Sequence, residues 1–316
     1  MSRYLAAVAL AVCAHSALAA SIKLPGKRAY PESLTSTADG TLYAGNLAEG
    51  GVLRIRKGKA EAFIAPGAFG TRSIEGVFAD EDTQTLWVCS NDYTQYGLTA
   101  LGEAGSAVKG FDLATGKGKI SLPLPGGPNE CNDFAKDEKG ALYVAETTGG
   151  RILRLAPGGT ALDVWAEDPR FREADGGPDG IALGAPGELY VNTYGGSHLF
   201  RIRIGDGKPV KIDELSLSQP FVHADGLRRL DDSHFVMVEG AGRLDLLTVE
   251  QDRVSVRPLA ETLDEPAGVA VAGFKVWVSE ARVSTIFDET KRGQIIPLPW
   301  QLRGFAVPTI SGKPAQ

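Results

Sequence analysis

Sulfur and imidazole are scarce in this chain. Its 316 residues include 3 cysteines, 2 methionines and 4 histidines. Three of the histidines, His198, His223 and His234, fall beyond residue 20. None of these stands at the short spacings of a zinc site. No basic cluster interrupts a formal net charge of −6, which argues against nucleic acid as a partner. No Gly-x-Ser-x-Gly elbow occurs, which disfavours a serine hydrolase. The glycine and aspartate runs, such as Ala174-Asp175-Gly176-Gly177, are too scattered for a phosphate loop. Long apolar runs are missing except at the start. There Arg3 precedes the apolar stretch Leu5 to Ala14, and Ala17-Leu18-Ala19 forms a small-x-small cleavage site. This predicts a signal peptide over residues 1–19 and a mature chain over 20–316, periplasmic or secreted. The apolar stretch is too short to remain as a membrane anchor. A lipoprotein anchor through Cys13 fits less well, because Val12 precedes it. Cys89 and Cys131 could pair in an oxidising compartment or stand as separate buried thiols.

Turn formers, in contrast, are abundant, with 39 Gly and 18 Pro. They punctuate a unit that recurs six times. Each copy opens on a small triplet, runs through an alternating strand, turns, and re-enters a strand of the Leu-Tyr-Val type. The triplets are Pro31-Glu32-Ser33, Ile74-Glu75-Gly76, Cys131-Asn132-Asp133, Pro178-Asp179-Gly180, Ala224-Asp225-Gly226 and Pro266-Ala267-Gly268. Their middle residues lie 43, 57, 47, 46 and 42 positions apart. Two further strands joined by tight glycine turns follow in each unit, as at Arg151 to Leu155 and Ala161 to Trp165. Four antiparallel strands in about 45 residues make one propeller blade. The expected fold is all-β, a six-bladed β-propeller with four antiparallel strands per blade. The tryptophan-aspartate signature of the commonest propellers is absent. The last blade is expected to draw its four strands from the C-terminal segment, ending near Ile295 to Leu298. Whether Ile22-Lys23-Leu24 helps to close the ring is open. The long second interval holds an insertion, Ser90 to Ser106, which is either a lid over one mouth of the ring or a surface loop.

In a propeller the first strand of every blade lines the central channel, so equivalent residues of different blades meet. Glu32, Glu75, Asn132, Asp179 and Asp225 are therefore expected to converge. Asp-Gly and Asn-Asp are also common in turns, but here they recur in register before the channel strand. Buried carboxylates need a compensating cation. Oxygen donors without His or Cys select a hard ion, and several carboxylates with an amide suit Ca²⁺ better than Mg²⁺.

These triplets, one per repeat over most of residues 25–300, resemble the senescence-marker-protein/gluconolactonase family, which includes regucalcin. The resemblance implies a divalent ion, often Ca²⁺, held by Glu32, Asn132, Asp179 and Asp225. Asp179 stands where that family usually has Asn, and Ala224 where it has Pro. Glu130 stands where sugar-lactonase members can carry a substrate-binding Arg, which counts against gluconolactone itself more than against lactone hydrolysis. The implied activity is hydrolysis of cyclic esters, with Asp225 as the general base on water. Glu75, Asn192, Tyr194 and His223 are the candidates for substrate contact or for supporting the ligands. The expected partner is a small-molecule lactone or related ester, and the protein is expected to be a monomer. Two other readings share the same ring: a hydrolase acting on phosphotriesters or aryl esters, and a non-catalytic binding propeller with a structural ion. A metal-free propeller of the strictosidine-synthase type fits poorly with an intact carboxylate ring.

Overall fold

The computed structural model describes residues 20–310, apart from Pro128 and Pro297. The expected signal peptide lies outside the described residues. Six antiparallel sheets follow one another along the chain as the blades of a propeller. The third blade is representative: Cys131–Lys136, Leu142–Glu146, Arg151–Leu155 and Leu162–Glu167 pair in sequence order from the axis outward. The innermost strands adjoin one another in cyclic order, so that Leu34–Ser36 of the first blade meets Pro266–Ala272 of the last. The fifth blade carries an extra two-residue strand, Ser216–Leu217, paired parallel on its outer edge. Among the described residues no helix is long and apolar enough to cross a membrane.

The blades hold together through both of their faces. Apolar side chains gather in six clusters among the described residues, one between each neighbouring pair of blades. Between the third and fourth, for example, Tyr143, Ile152, Phe171, Val191 and Phe200 are buried together. A blade alone would leave such faces wet; a closed ring of blades removes them from water.

Closure differs from the sequence expectation. The last sheet is ordered Pro266–Ala272, Lys275–Glu280, Trp300–Ala306 and then Ala20–Leu24 from the other end of the chain. Ile22 and Leu24 are buried against the same cluster as Trp300 and Leu302. Ile295, expected in the last strand, is 98% exposed. The reason is local: two prolines flank Leu298, and proline cannot donate to a strand ladder. Residues 281–299 instead form an excursion with a short helix, Ser284–Phe287.

Cys89 and Cys131 are joined by a disulfide, with Cα atoms 5.2 Å apart. It links the second strand of the second blade to the first strand of the third. Closing a loop of this length stabilises by about 2–4 kcal/mol. Replacing both cysteines by serine is expected to lower the unfolding free energy in urea by about that amount; an unchanged denaturation midpoint would show the bridge to be dispensable.

One buried acid is left poorly compensated. Asp245 is fully buried, and neither of its carboxylate oxygens accepts a hydrogen bond. Arg243 donates its hydrogen bond to Glu239 and lies 3.5 Å from Asp245 Oδ2, an ion pair without a hydrogen bond. Burial and the neighbouring Glu239 raise the Asp245 pKa to about 8. The folded state therefore keeps a proton that the unfolded chain releases near pH 4, so stability falls as pH rises from about 4 towards 8. Asp245→Asn removes this dependence. The melting-temperature gap, variant minus parent, is expected to grow between pH 5 and pH 8.5; a gap independent of pH would contradict the assignment.

Candidate active site

Five of the six triplets sit at a β-bulge. In five blades the pairing of the first strand with the second slips at the triplet, between Ile74 and Val77, Cys131 and Phe134, Pro178 and Ile181, Ala224 and Leu227, and Pro266 and Val269. A bulge re-aims side chains and bends the strand. Here it turns Glu75, Asn132, Asp179 and Asp225 towards the axis. The glycine that follows in four blades is not a turn residue. A Cβ on Gly76, Gly180, Gly226 or Gly268 would stand 2.7 Å or less from the carbonyl oxygen of Asn132, Asp225, Ala267 or Glu32 in the next blade. The triplets therefore interlock around the ring, each backbone against the next.

Amides and hydroxyls bridge the same seam. Asn192 accepts from the Gly180 N–H at 2.9 Å and donates to the Asp225 carbonyl at 2.7 Å. Asn91 does the same between blades two and three, bonding both the N–H and the carbonyl of Cys131 at 3.1 and 2.8 Å. Where glycine is missing, Ser33 and Asp133 accept from the Val77 and Ile181 N–H groups of the next blade. Asn192 is thus fully used in positioning ring residues. It is buried and absent from the cavity lining, which places it with the supporting role of its two expected alternatives.

Over the ring opens a cavity of about 940 Å³. Glu32, Glu75, Asn132, Asp179, Asp225, Tyr194 and His223 all line it. The four residues expected to bind metal are each about 5% exposed. Asn132 donates to Asp179 at 3.1 Å, and the Gly226 N–H donates to Asp225 at 2.8 Å. Desolvation, and then repulsion from neighbouring carboxylates (Asp179 for Glu32 and Asp225, Asp133 for Asp179), raises the pKa of Glu32, Asp179 and Asp225 well above the ordinary range. Glu32 Oε2 and Asp179 Oδ1 are buried without any hydrogen-bond partner. Among the described residues no three His, Cys, Asp or Glu side chains already stand together as an ion cage. Carboxylates in a low-dielectric channel hold apart, or hold protons, until a cation compensates them. Two orphaned oxygens and an all-oxygen donor set fit a hard divalent ion.

Below the ring, Arg228 crosses the channel. It meets both oxygens of Asp133, one at 3.0 Å, and donates to the Leu34 carbonyl at 3.0 Å. A second cavity of about 300 Å³ lies at that other mouth. It contains none of the acids of the ring, and its cations Lys136, Arg228 and Arg229 are paired with aspartates.

The sequence reading missed the walls. Tyr93 and Tyr96 come from the Ser90–Ser106 insertion, which makes part of the cavity wall. The Tyr93 hydroxyl lies 2.7 Å from both Glu75 and Glu130. One hydroxyl carries one proton, so one of the two carboxyls must be protonated for both contacts to be hydrogen bonds. Burial raises the pKa of both acids, consistent with a retained proton. Glu75, expected to converge with the metal candidates, is thus engaged by Tyr93 and Asn91. From the far end of the chain, Phe287 packs edge-on against Tyr93 and Tyr96, at 5.3 and 5.1 Å. Lys291 reaches Glu265 and the Ser284 hydroxyl at 3.2 and 3.1 Å. No periodicity marks these residues, because both excursions lie outside the repeat.

Comparison with known proteins follows from this geometry. No family model matches the chain, and no curated protein matches it by sequence. Solved structures do. A gluconolactonase from Xanthomonas campestris superposes with a TM-score of 0.65 at 17% identity, over 92% of this chain and 90% of that one. The likeness is one of fold. Regucalcin from Agrobacterium tumefaciens, described as a calcium-binding protein, gives 0.58 at 16% identity, over 90% and 95%. A virginiamycin B lyase from Staphylococcus aureus gives 0.60 at 18%, over 90% and 82%. The chain is therefore a six-bladed propeller with gluconolactonase and regucalcin structures among its neighbours, and proteins of other activity share the architecture.

Backbone strain gathers beside the ring. Tyr30, His223 and Glu265, each the residue before a triplet, adopt left-handed conformations with φ of 43°, 56° and 45°. Such conformations cost a non-glycine residue about 1–2 kcal/mol. Strain of this kind is retained where the side chain is needed. The His223 ring stacks on Tyr194 at 4.9 Å, and both face the cavity. Burial raises the Tyr194 pKa, so the phenol stays neutral. His223→Gly and His223→Ala lose the same ring, but only glycine relieves the backbone. We expect the glycine variant to be more stable in urea by about 1 kcal/mol. Equal stabilities would remove the strain argument.

Proposed function

We propose that the protein is an exported, Ca²⁺-dependent lactone hydrolase. The observation that carries this reading is the set of buried ring oxygens, two of them without partners, at the floor of a large cavity. Glu32, Asn132, Asp179 and Asp225 would hold the ion. Bound there, it would act as a Lewis acid on the lactone carbonyl. Fold neighbours named as gluconolactonase and as calcium-binding regucalcin support the same reading.

The remaining chemistry belongs to the chain's own residues. Asp225 is fixed by the Gly226 N–H and, through its backbone carbonyl, by Asn192. Its carboxylate takes a proton from water as the water oxygen bonds to the carbonyl carbon. The ring C–O bond then breaks, the leaving alkoxide takes the proton back from Asp225, and an open hydroxy acid results with the Asp225 carboxylate regenerated. The Tyr194–His223 pair and the Tyr96–Phe287 pair bound the space in which the lactone lies. Glu130, in place of a substrate-binding arginine, accepts from Tyr93 and from Thr148 at 2.7 Å. This leaves no guanidinium at that position for a polyhydroxylated acid lactone.

The test is hydrolysis of a panel of sugar and alkyl lactones by the purified mature protein, with EDTA and with Ca²⁺ restored. Activity is expected to vanish with EDTA and to return with Ca²⁺, and Asp225→Asn is expected to lower kcat by about 10² or more. If no lactone is hydrolysed while Ca²⁺ still raises the melting temperature, the ion is structural and the lactonase reading fails.

A further inference from the structure

The cavity is far more acidic than a metal site requires. Nine Asp and Glu residues line it, against Lys291 as the one Lys or Arg among the described lining residues. Lys291 is itself held by Glu265. A divalent ion on the ring would use three of the carboxylates, Glu32, Asp179 and Asp225. Together with Lys291 and the proton held between Glu75 and Glu130 it still offsets fewer than half of the nine charges. Two acids, Asp175 and Asp288, stand outside the ring triplets and closer to solvent. Asp175 is exposed in the loop before Pro178–Leu183. Asp288 follows the short helix Ser284–Phe287, and Thr290 donates two hydrogen bonds to its carboxylate. These bonds lower its pKa, so Asp288 carries its charge.

Aromatic faces accompany this charge. Tyr96 and Phe287, both half-buried and in edge contact, line the same space. Arg292 already stands 5.7 Å from the Tyr96 ring centroid, so one face of that ring takes a cation. Carboxylates interleaved with aromatic rings are the chemistry that recognises ammonium groups. Walls of one charge sign also concentrate ligands of the opposite sign and repel their own. The unpartnered Glu32 and Asp179 oxygens, 5% and 4% exposed, point to the same preference for cations at the cavity floor.

We infer that the substrate is a cationic lactone, an ammonium-bearing cyclic ester whose charged end lies among the acids and aromatic rings of the wall. The inference rests on the lactonase reading and adds a substrate class to it. Three γ-lactones decide it, alike except for the end of a short side chain on the ring carbon that bears the ring oxygen: trimethylammonium, hydroxyl or carboxylate. At low ionic strength kcat/KM for the trimethylammonium lactone is expected to exceed that for the carboxylate lactone by about tenfold or more, and the ratio is expected to shrink as sodium chloride is added. Asp175→Asn combined with Asp288→Asn is expected to narrow the ratio. An unchanged ratio in that variant would overturn the assignment to these acids. Equal rates for all three, or a faster carboxylate lactone, would overturn the inference and leave the lactonase reading intact. Hydrolysis of none would sink the lactonase reading. Calorimetric titration of the Ca²⁺-loaded protein with the two charged lactones would then decide the charge preference: tighter trimethylammonium binding sustains it, and equal affinity ends it.

Discussion

The close approach of neighbouring innermost strands is the constraint on which the site depends. Gly76, Gly180, Gly226 and Gly268 let each blade's backbone touch the next blade's carbonyl where a Cβ would collide. That contact sets how near the strands come to the axis. It therefore sets how near Glu32, Asn132, Asp179 and Asp225 come to one another. The same contact buries the three carboxylates, and burial with repulsion from neighbouring acids raises their pKa values. The site and the ring packing are thus one arrangement. A side chain at any of these glycines would push blades apart and open the ring at the level where its acids meet.

Around that floor the fold divides its work. The repeats supply the polar residues, while Asn91, Asn192 and the disulfide pin the strands that carry them. The two excursions from the repeat, after the second strands of the second and last blades, supply the aromatic wall. They meet through Phe287 and the two tyrosines. The repeats therefore build the ring and the excursions build the wall. Arg228, tied to Asp133 and Leu34, braces the channel on the far side.

Much of this was legible in the residues. Six triplets in register, with strand and turn chemistry between them, implied six blades and a convergent ring of oxygens, and the blades are there. The Asp-Gly pairs looked like turn chemistry, yet their glycines serve close packing. Only the neighbouring blade's backbone reveals this. The last blade misled because Ile295 and Ile296 look like a strand by composition, while the closing strand comes from about 280 residues away and carries only Ile22 and Leu24 as its signal. Asn192 was expected either to meet a substrate or to support a ligand, and its amide is spent on two backbone groups of the ring.

The sequence by itself determined the architecture and the identity of the ring residues. Periodicity of about 45 residues and alternation within strands are local properties, and a propeller turns such repetition directly into spatial proximity. Only the tertiary structure decided how the ring closes, which acids share the Tyr93 proton, that Glu265 answers Lys291, and that aromatic rings from two excursions face the carboxylates. Those contacts join segments between 18 and about 280 residues apart that follow no common period. Their meeting is set by the geometry of the closed ring, and nothing in the local sequence encodes it.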